Sequence, residues 1–109
     1  FKTQGRRIFV IGDMLELGDR SIAAHKKLGE EISESQTDIM ITVGKLASLS
    51  AKSAQLLTVK KIRIYEFTNH KEAAQFLVQE TRSGDCVMFK GSRGATMEKV
   101  LQIFIENKN

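Results

Sequence analysis

Four short apolar runs, Ile8–Ile11, Ile39–Val43, Ile62–Phe67 and Cys86–Phe89, recur along the chain, and each is followed by a segment of helical period. This alternation limits the fold more than any other feature. Parallel strands cannot be joined by a tight turn and need a crossover, usually a helix. A strand–helix order repeated four times therefore predicts an α/β domain, with an open, mostly parallel sheet and helices on both faces. Three of the runs are near-continuous and rich in β-branched or aromatic residues, as expected for strands covered on both sides. The third alternates, with Arg63 and Glu66 among Ile62, Ile64, Tyr65 and Phe67, and reads as a more exposed strand at an edge.

The helices follow from the same pattern. Ile22, His25, Leu28, Gly29 and Ile32 share one face of a segment over about 21–35, with Ser21 as its N-cap. Leu46, Leu49, Ala54 and Leu57 mark a weaker second helix. Asn69 caps a third, in which Ala73, Phe76, Leu77 and Thr81 align and beyond which Gly84 lies. The last runs over about 95–106, with Met97, Val100, Leu101, Phe104 and Ile105 apolar.

Composition narrows the function classes. The 109 residues amount to one domain, and 41% hydrophobic against 28% charged residues excludes intrinsic disorder. No apolar window approaches the roughly 18 residues of a membrane span, and no secretory signal opens the chain. Cys86 is the only cysteine, so an internal disulfide framework is impossible and a reducing, cytoplasmic setting is expected. The first residue, Phe1, is not an initiator Met, which suggests an excised domain. Seventeen Lys and Arg against 13 Asp and Glu give a net charge of +4. The signs are mixed along the chain, however, and one Tyr with no Trp offers no stacking platform for nucleic acid. A small anionic ligand suits such a field better.

In an open parallel sheet, ligands bind beyond the carboxyl ends of the strands. Two of the four junctions there, Gly44-Lys45 and Thr68-Asn69, are short and plain. The first junction is Gly12-Asp13-Met14-Leu15-Glu16-Leu17-Gly18-Asp19-Arg20. Gly12 and Gly18 permit tight turns, while Asp13 and Glu16 bring carboxylates for a metal-bound phosphate or a ligand hydroxyl. Met14, Leu15 and Leu17 either tuck into the domain's own core or dock on another domain. His25, one helical turn further on, is either a packed, hydrogen-bonded imidazole or a site residue. The last junction, Lys90-Gly91-Ser92-Arg93-Gly94, leads into a helix whose free N–H groups favour an anion. Lys90 there supplies a point charge and Arg93 a two-pronged fork. Val43-Gly44-Lys45-Leu46 is no Walker A loop, no G-x-G-x-x-G follows any strand, and His25 and His70 lack zinc-ligand spacing. Cys86 reads as a small buried hydrophobe.

The string Val10-Ile11-Gly12-Asp13-Met14-Leu15-Glu16-Leu17-Gly18, with His25 seven residues later and Lys90-Gly91-Ser92-Arg93 near the end, resembles the C-terminal domain of the bacterial Mur ligases. It is most like the branch that adds D-alanyl-D-alanine to UDP-N-acetylmuramoyl-tripeptide in peptidoglycan synthesis. The resemblance covers nearly the whole chain and implies a Rossmann-like domain of a larger cytoplasmic enzyme. In such an enzyme an N-terminal domain holds the UDP-sugar and a central domain binds ATP and Mg2+, and the reaction passes through an acyl phosphate. The family's domain opens with a further strand and an Asp-x-Tyr-Asn-Ala-Asn-Pro loop. The sequence begins after that motif, so a domain shortened at its N-terminus, inactive on its own, is expected.

By the same resemblance, Gly12, Asp13, Met14, Glu16 and Gly18, with His25, face the nucleotide and the central domain. Lys90, Gly91, Ser92 and Arg93 lie near the incoming dipeptide, with Arg93 as its carboxylate partner. No catalytic or metal-ligating residue is expected in this chain. The rival reading is a stand-alone α/β binding module for a small phosphorylated ligand. A response-regulator receiver fits less well, because Asp85 precedes its strand and no Asp follows Val43 or Phe67.

Overall fold

A computed structural model of the chain describes residues 5–57, 61–91 and 97–107, the side chains of Leu15, Glu16, Met97, Glu98 and Asn107 excepted. Its strands are β1 (Arg7–Gly12), β2 (Ile39–Val43), β3 (Arg63–Phe67) and β4 (Cys86–Lys90). The helices are α1 (Ser21–Glu34), α2 (Ala47–Leu57), α3 (His70–Glu80) and α4 (Met97–Asn107), and a 3-10 turn over Leu15–Arg20 precedes α1. The strands form one sheet in the order β3-β2-β1-β4, and every pairing is parallel. The α/β reading holds.

Side chains alternate across a strand, and the two layers follow from that. Ile8 and Val10 of β1 join Ile39, Ile41 and Val43 of β2 against Ala73, Ala74 and Leu77 of α3 and Val100 of α4. Ile11 and Met40 point the other way, onto Leu28 and Ile32 of α1 and Ala47, Ala51 and Ala54 of α2. All five residues of β2 are buried, as a central parallel strand requires.

The two edges differ from one another. β3 is the exposed edge that its alternation predicts, with Arg63 and Glu66 in solvent. β4 departs from expectation: it forms the other edge, where Cys86, Val87 and Phe89 are only half-buried and Met88 is exposed. A continuous apolar run looks alike in a central strand and in an edge strand with one uncovered side.

Helix details also depart from the pattern. α2 buries a face of small residues, Ala47, Ser50, Ala51 and Ala54, and leaves Leu56 and Leu57 exposed. The reason is the close approach of α1. A Cβ on Gly29 would lie 2.4 Å from the Ser50 backbone oxygen, so only small side chains fit between the helices. Ile22 lies outside the buried face of α1, which comprises Ser21, His25, Leu28, Gly29, Ile32 and Ser33. Ser21 is not an N-cap. It is the first helical residue, and its N–H donates to the Gly18 carbonyl, so the 3-10 turn feeds the helix without a side-chain cap. Asn69 does cap α3, its side chain accepting the Glu72 N–H at 3.1 Å. Within α4, Val100 is buried while Leu101 and Ile105 are exposed.

At the N-terminal end of the sheet an ion-pair network ties distant elements together. Arg6 reaches Asp85 and Glu80, both at 2.8 Å, and Arg63 reaches the same Glu80 oxygen at 2.9 Å. Burial pushes the Asp85 carboxyl up. Hydrogen bonds from the Arg6 side chain and from the Arg6 and Arg82 backbone N–H groups outweigh it and hold the group at about 2. The hydrogen bond from Arg6 likewise lowers Glu80, against its own burial.

Candidate functional site

The chain steps from β1 to β2 to β3 in one direction, and β4 lies on the opposite side of β1. The strand order therefore reverses between β1 and β4, which is where open α/β sheets place their ligands. Ile11 pairs with Lys90, so the loops after Gly12 and after Lys90 leave from neighbouring strand ends. One leads to α1 and the other towards α4, on opposite faces of the sheet. The two junctions singled out by sequence thus flank the reversal point.

Asp13 does not simply face solvent. Its Oδ1 accepts the Ala47 N–H at 2.7 Å, at the start of α2. Its carboxylate also rests on Gly44, where a Cβ would come within 2.4 Å of Oδ1. Gly44 has φ +118°, a conformation that side chains rarely adopt. The Gly44-Lys45 junction is therefore not plain: it is shaped to receive Asp13, and it sets a second exposed cation, Lys45, on the same end of the sheet. Sequence reading missed this contact because its partners lie 34 residues apart. Gly12 differs from expectation in another way: it is the last residue of β1 and makes no turn.

The 3-10 turn bends at Gly18, whose φ of +56° is the tight turn expected there. Gly18, Asp19 and Arg20 are exposed and Leu17 is half-buried. Met14 is half-buried and packs in part against the core beneath α1 and α2. The side chains of Leu15 and Glu16 lie outside the described residues.

His25 is fully buried. Its Nδ1 lies 2.6 Å from the Ser21 carbonyl oxygen, which can only accept, so Nδ1 carries the proton. Its Nε2 lies 3.0 Å from the Met14 N, which can only donate, so Nε2 is bare. The two contacts define a neutral ring of a single tautomer. Ser50 Oγ donates to the His25 carbonyl at 2.5 Å and holds that turn of α1 against α2. This is the packed, hydrogen-bonded imidazole.

Lys90 and Gly91 are exposed, and Lys90 makes no ion pair among the described residues. Ser92 and Arg93 lie outside the described residues. Among the described residues no three His, Cys, Asp or Glu side chains converge on a point, so this part of the chain offers no metal cage. A groove of about 310 Å³ runs along the uncovered side of β4, with Phe9, Leu28, Ile32 and Met88 in its lining. It follows the strand instead of opening beyond its end, and Arg7 and Lys90 also line it. No described helix is long and apolar enough to cross a membrane. Arrangement and charge together suit an anionic ligand over the reversal point, approached by backbone and by Lys45 and Lys90.

Comparison with known proteins adds an independent line. A family model described as "Mur ligase, glutamate ligase domain" matches residues 1–93. The UDP-N-acetylmuramoyl-tripeptide--D-alanyl-D-alanine ligase of Bacillus subtilis (strain 168) is 37% identical over 103 residues, covering 94% of this chain and 22% of that protein. A crystal structure of MurF from Acinetobacter baumannii superposes with a TM-score of 0.77 at 30% identity, over 97% of this chain and 23% of that one. The MurF ligase of Thermotoga maritima, solved in complex with ADP, gives 0.73 at 28% identity, over 96% and 23%. The chain thus spans about a fifth of the length of the relatives it matches.

Proposed function

Because this chain belongs to the Mur ligase family, in its glutamate ligase domain, we propose that it is one domain of a longer ATP-dependent enzyme. That enzyme adds D-alanyl-D-alanine to UDP-N-acetylmuramoyl-tripeptide in peptidoglycan synthesis, in the cytoplasm. The other domains of the same polypeptide are this domain's partners and carry the UDP-sugar site. The observation that carries the reading is the reversal of strand order between β1 and β4, with Gly12-Asp13 and Lys90-Gly91 on its two sides. The relative solved with ADP supports ATP as the nucleotide.

The roles divide by junction. The loop from Gly12 to Gly18, braced by Asp13 and His25, faces the nucleotide and the central domain, with Met14 and Glu16 on it. Lys90, Gly91, Ser92 and Arg93 face the dipeptide. ATP, when bound, supplies the phosphoryl group that activates the substrate carboxylate. Mg2+ is assigned to the other domains; Asp13 Oδ1 already accepts the Ala47 N–H, and among the described residues no cage of carboxylates surrounds it. This chain's own contribution is positioning and charge complementarity, the terms that dominate phosphoryl and acyl transfer once reactants are bound. A stand-alone module for a phosphorylated ligand is not favoured, because the relatives it matches are ligases about five times its length.

Arg93 gives the decisive test. A guanidinium matches a carboxylate with two parallel hydrogen bonds, which an ammonium cannot. In the longer ligase, Arg93→Ala should raise the KM for D-alanyl-D-alanine by on the order of 100-fold, the loss expected on truncating one side of a desolvated charge pair. The KM for ATP should barely move, and Arg93→Lys should recover only part of the loss. Unchanged dipeptide kinetics in both variants would remove the substrate role from this loop.

A further inference from the structure

His25 is a buried titratable group with no atom left for a ligand, because both ring nitrogens are engaged within the domain. Their partners are informative. Met14 is the residue immediately before the 3-10 turn and Ser21 is the residue immediately after it. One imidazole therefore bridges the two ends of the segment from Leu15 to Arg20. The geometry points to His25 as the positioning residue of this loop: its neutral Nδ1–H ring fixes where the loop stands over the end of β1.

The loop needs such a tie. The hydrogen bonds of a 3-10 turn are poorer than those of an α-helix, and this turn is interrupted at Gly18. No side chain caps its start at Met14. Adjacent to Met14, Asp13 is fixed to α2 through the Ala47 N–H. His25 is itself fixed to α2, through Ser50. The loop is thus referenced twice to the same helix pair, once through Asp13 and once through the ring. Only a side chain that donates at one end and accepts at the other, across a rigid plane, can serve Ser21 and Met14 together. Neutral histidine does this in one tautomer alone; the Nε2–H ring would present a proton to the Met14 N–H.

The effect on catalysis rests on the proposed reading of the loop as nucleotide-facing, and the test separates the two. Asn at position 25 can still donate to Ser21 but falls short of Met14, whereas Gln can reach Met14 with its amide oxygen. In the longer ligase, His25→Asn should raise the ATP KM about tenfold with kcat little changed, as expected when a ligand-facing segment shifts by a fraction of an ångström. The Met14 amide should exchange its hydrogen at least about tenfold faster in that variant, its protecting acceptor being gone. His25→Gln should return both quantities to within about threefold of the parent, since it restores that acceptor. In the unaltered protein, the nitrogen shifts of His25 should show a protonated Nδ1 and a bare Nε2, a readout that needs no variant to fold.

An Nε2-protonated ring would overturn the proposal. So would a folded Asn variant with Met14 still protected, or Asn and Gln variants equally impaired. Faster exchange at Met14 with an unchanged ATP KM would overturn the nucleotide-facing reading instead and leave the positioning role standing.

Discussion

At the N-terminal end of the sheet, Arg6, Arg63, Glu80 and Asp85 pair charge with charge. At the carboxyl end, Asp13 and His25 take backbone amides, and Lys45 and Lys90 are left exposed. Both ends hold elements that are far apart in sequence, yet their chemistry differs. A closed ion-pair network satisfies its own charges and leaves nothing for a ligand. A brace made from neutral or backbone-directed contacts fixes the loops while keeping cations available. Binding sites in this fold lie at the carboxyl end, and the charges are distributed accordingly.

The sharpest way to break this contrast is Asp85→Asn. The side chain is 3% exposed and accepts from the backbone N–H groups of Arg6 and Arg82 as well as from the Arg6 guanidinium. Removing its charge leaves Arg6 half-paired and should cost on the order of 2–4 kcal/mol in urea unfolding. The same residue sets an acid limb. Its folded carboxyl lies at about 2 against an ordinary 3.8, so the unfolded chain binds more protons in between. Stability is then fully present above pH 4 and falls as the pH drops towards 2, and Asp85→Asn should flatten that slope. ATP and dipeptide KM in the longer ligase should not change.

Gly44→Ala tests the other end. It forces a left-handed backbone on a residue with a Cβ and drives that Cβ into the Asp13 carboxylate. A loss of about 2–3 kcal/mol is expected, combining strain and overpacking. Here the ATP KM should rise as well, because the loop at Asp13 moves with it. A stability loss with unchanged ATP kinetics would mean that the brace and the site are separate.

Lys90→Ala should have the smallest effect on folding, within about 0.5 kcal/mol, as for an exposed side chain. In the longer ligase it should nonetheless weaken substrate binding. If Lys90→Ala proved as destabilising as Asp85→Asn, the two ends would not differ as described.

Much of this was legible in the residues themselves. Period and composition placed four strands and four helices, and the alternation of β3 identified it as an edge. The Gly-Asp-Met-Leu-Glu-Leu-Gly and Lys-Gly-Ser-Arg strings begin at the carboxyl ends of β1 and β4, the two strands that flank the reversal. What escaped were features set by partners distant in sequence. The exposed side of β4 depends on which helices reach it, and its run Cys86–Phe89 carries no sign of that. The buried face of α2 lies along its alanines because Gly29 brings α1 close, whereas leucines suggested a different face. The role of Gly44 became visible only with Asp13 resting on it.

The strand order has a kinetic consequence. β1 sits inside the sheet, and its second neighbour, β4, pairs with it at a sequence separation of 79. Residues through β3 can assemble three strands with α1 and α2 on one side. Ile8, Val10, Ile39 and Ile41 then still lack the cover of α3 and α4. Closing so long a loop is a late, entropically costly event. During synthesis, the interval between the emergence of β3 and that of β4 is therefore the period of greatest exposure to aggregation. A chain that stalls just after β3 presents both a β1 edge without its β4 partner and an apolar face without α3 and α4.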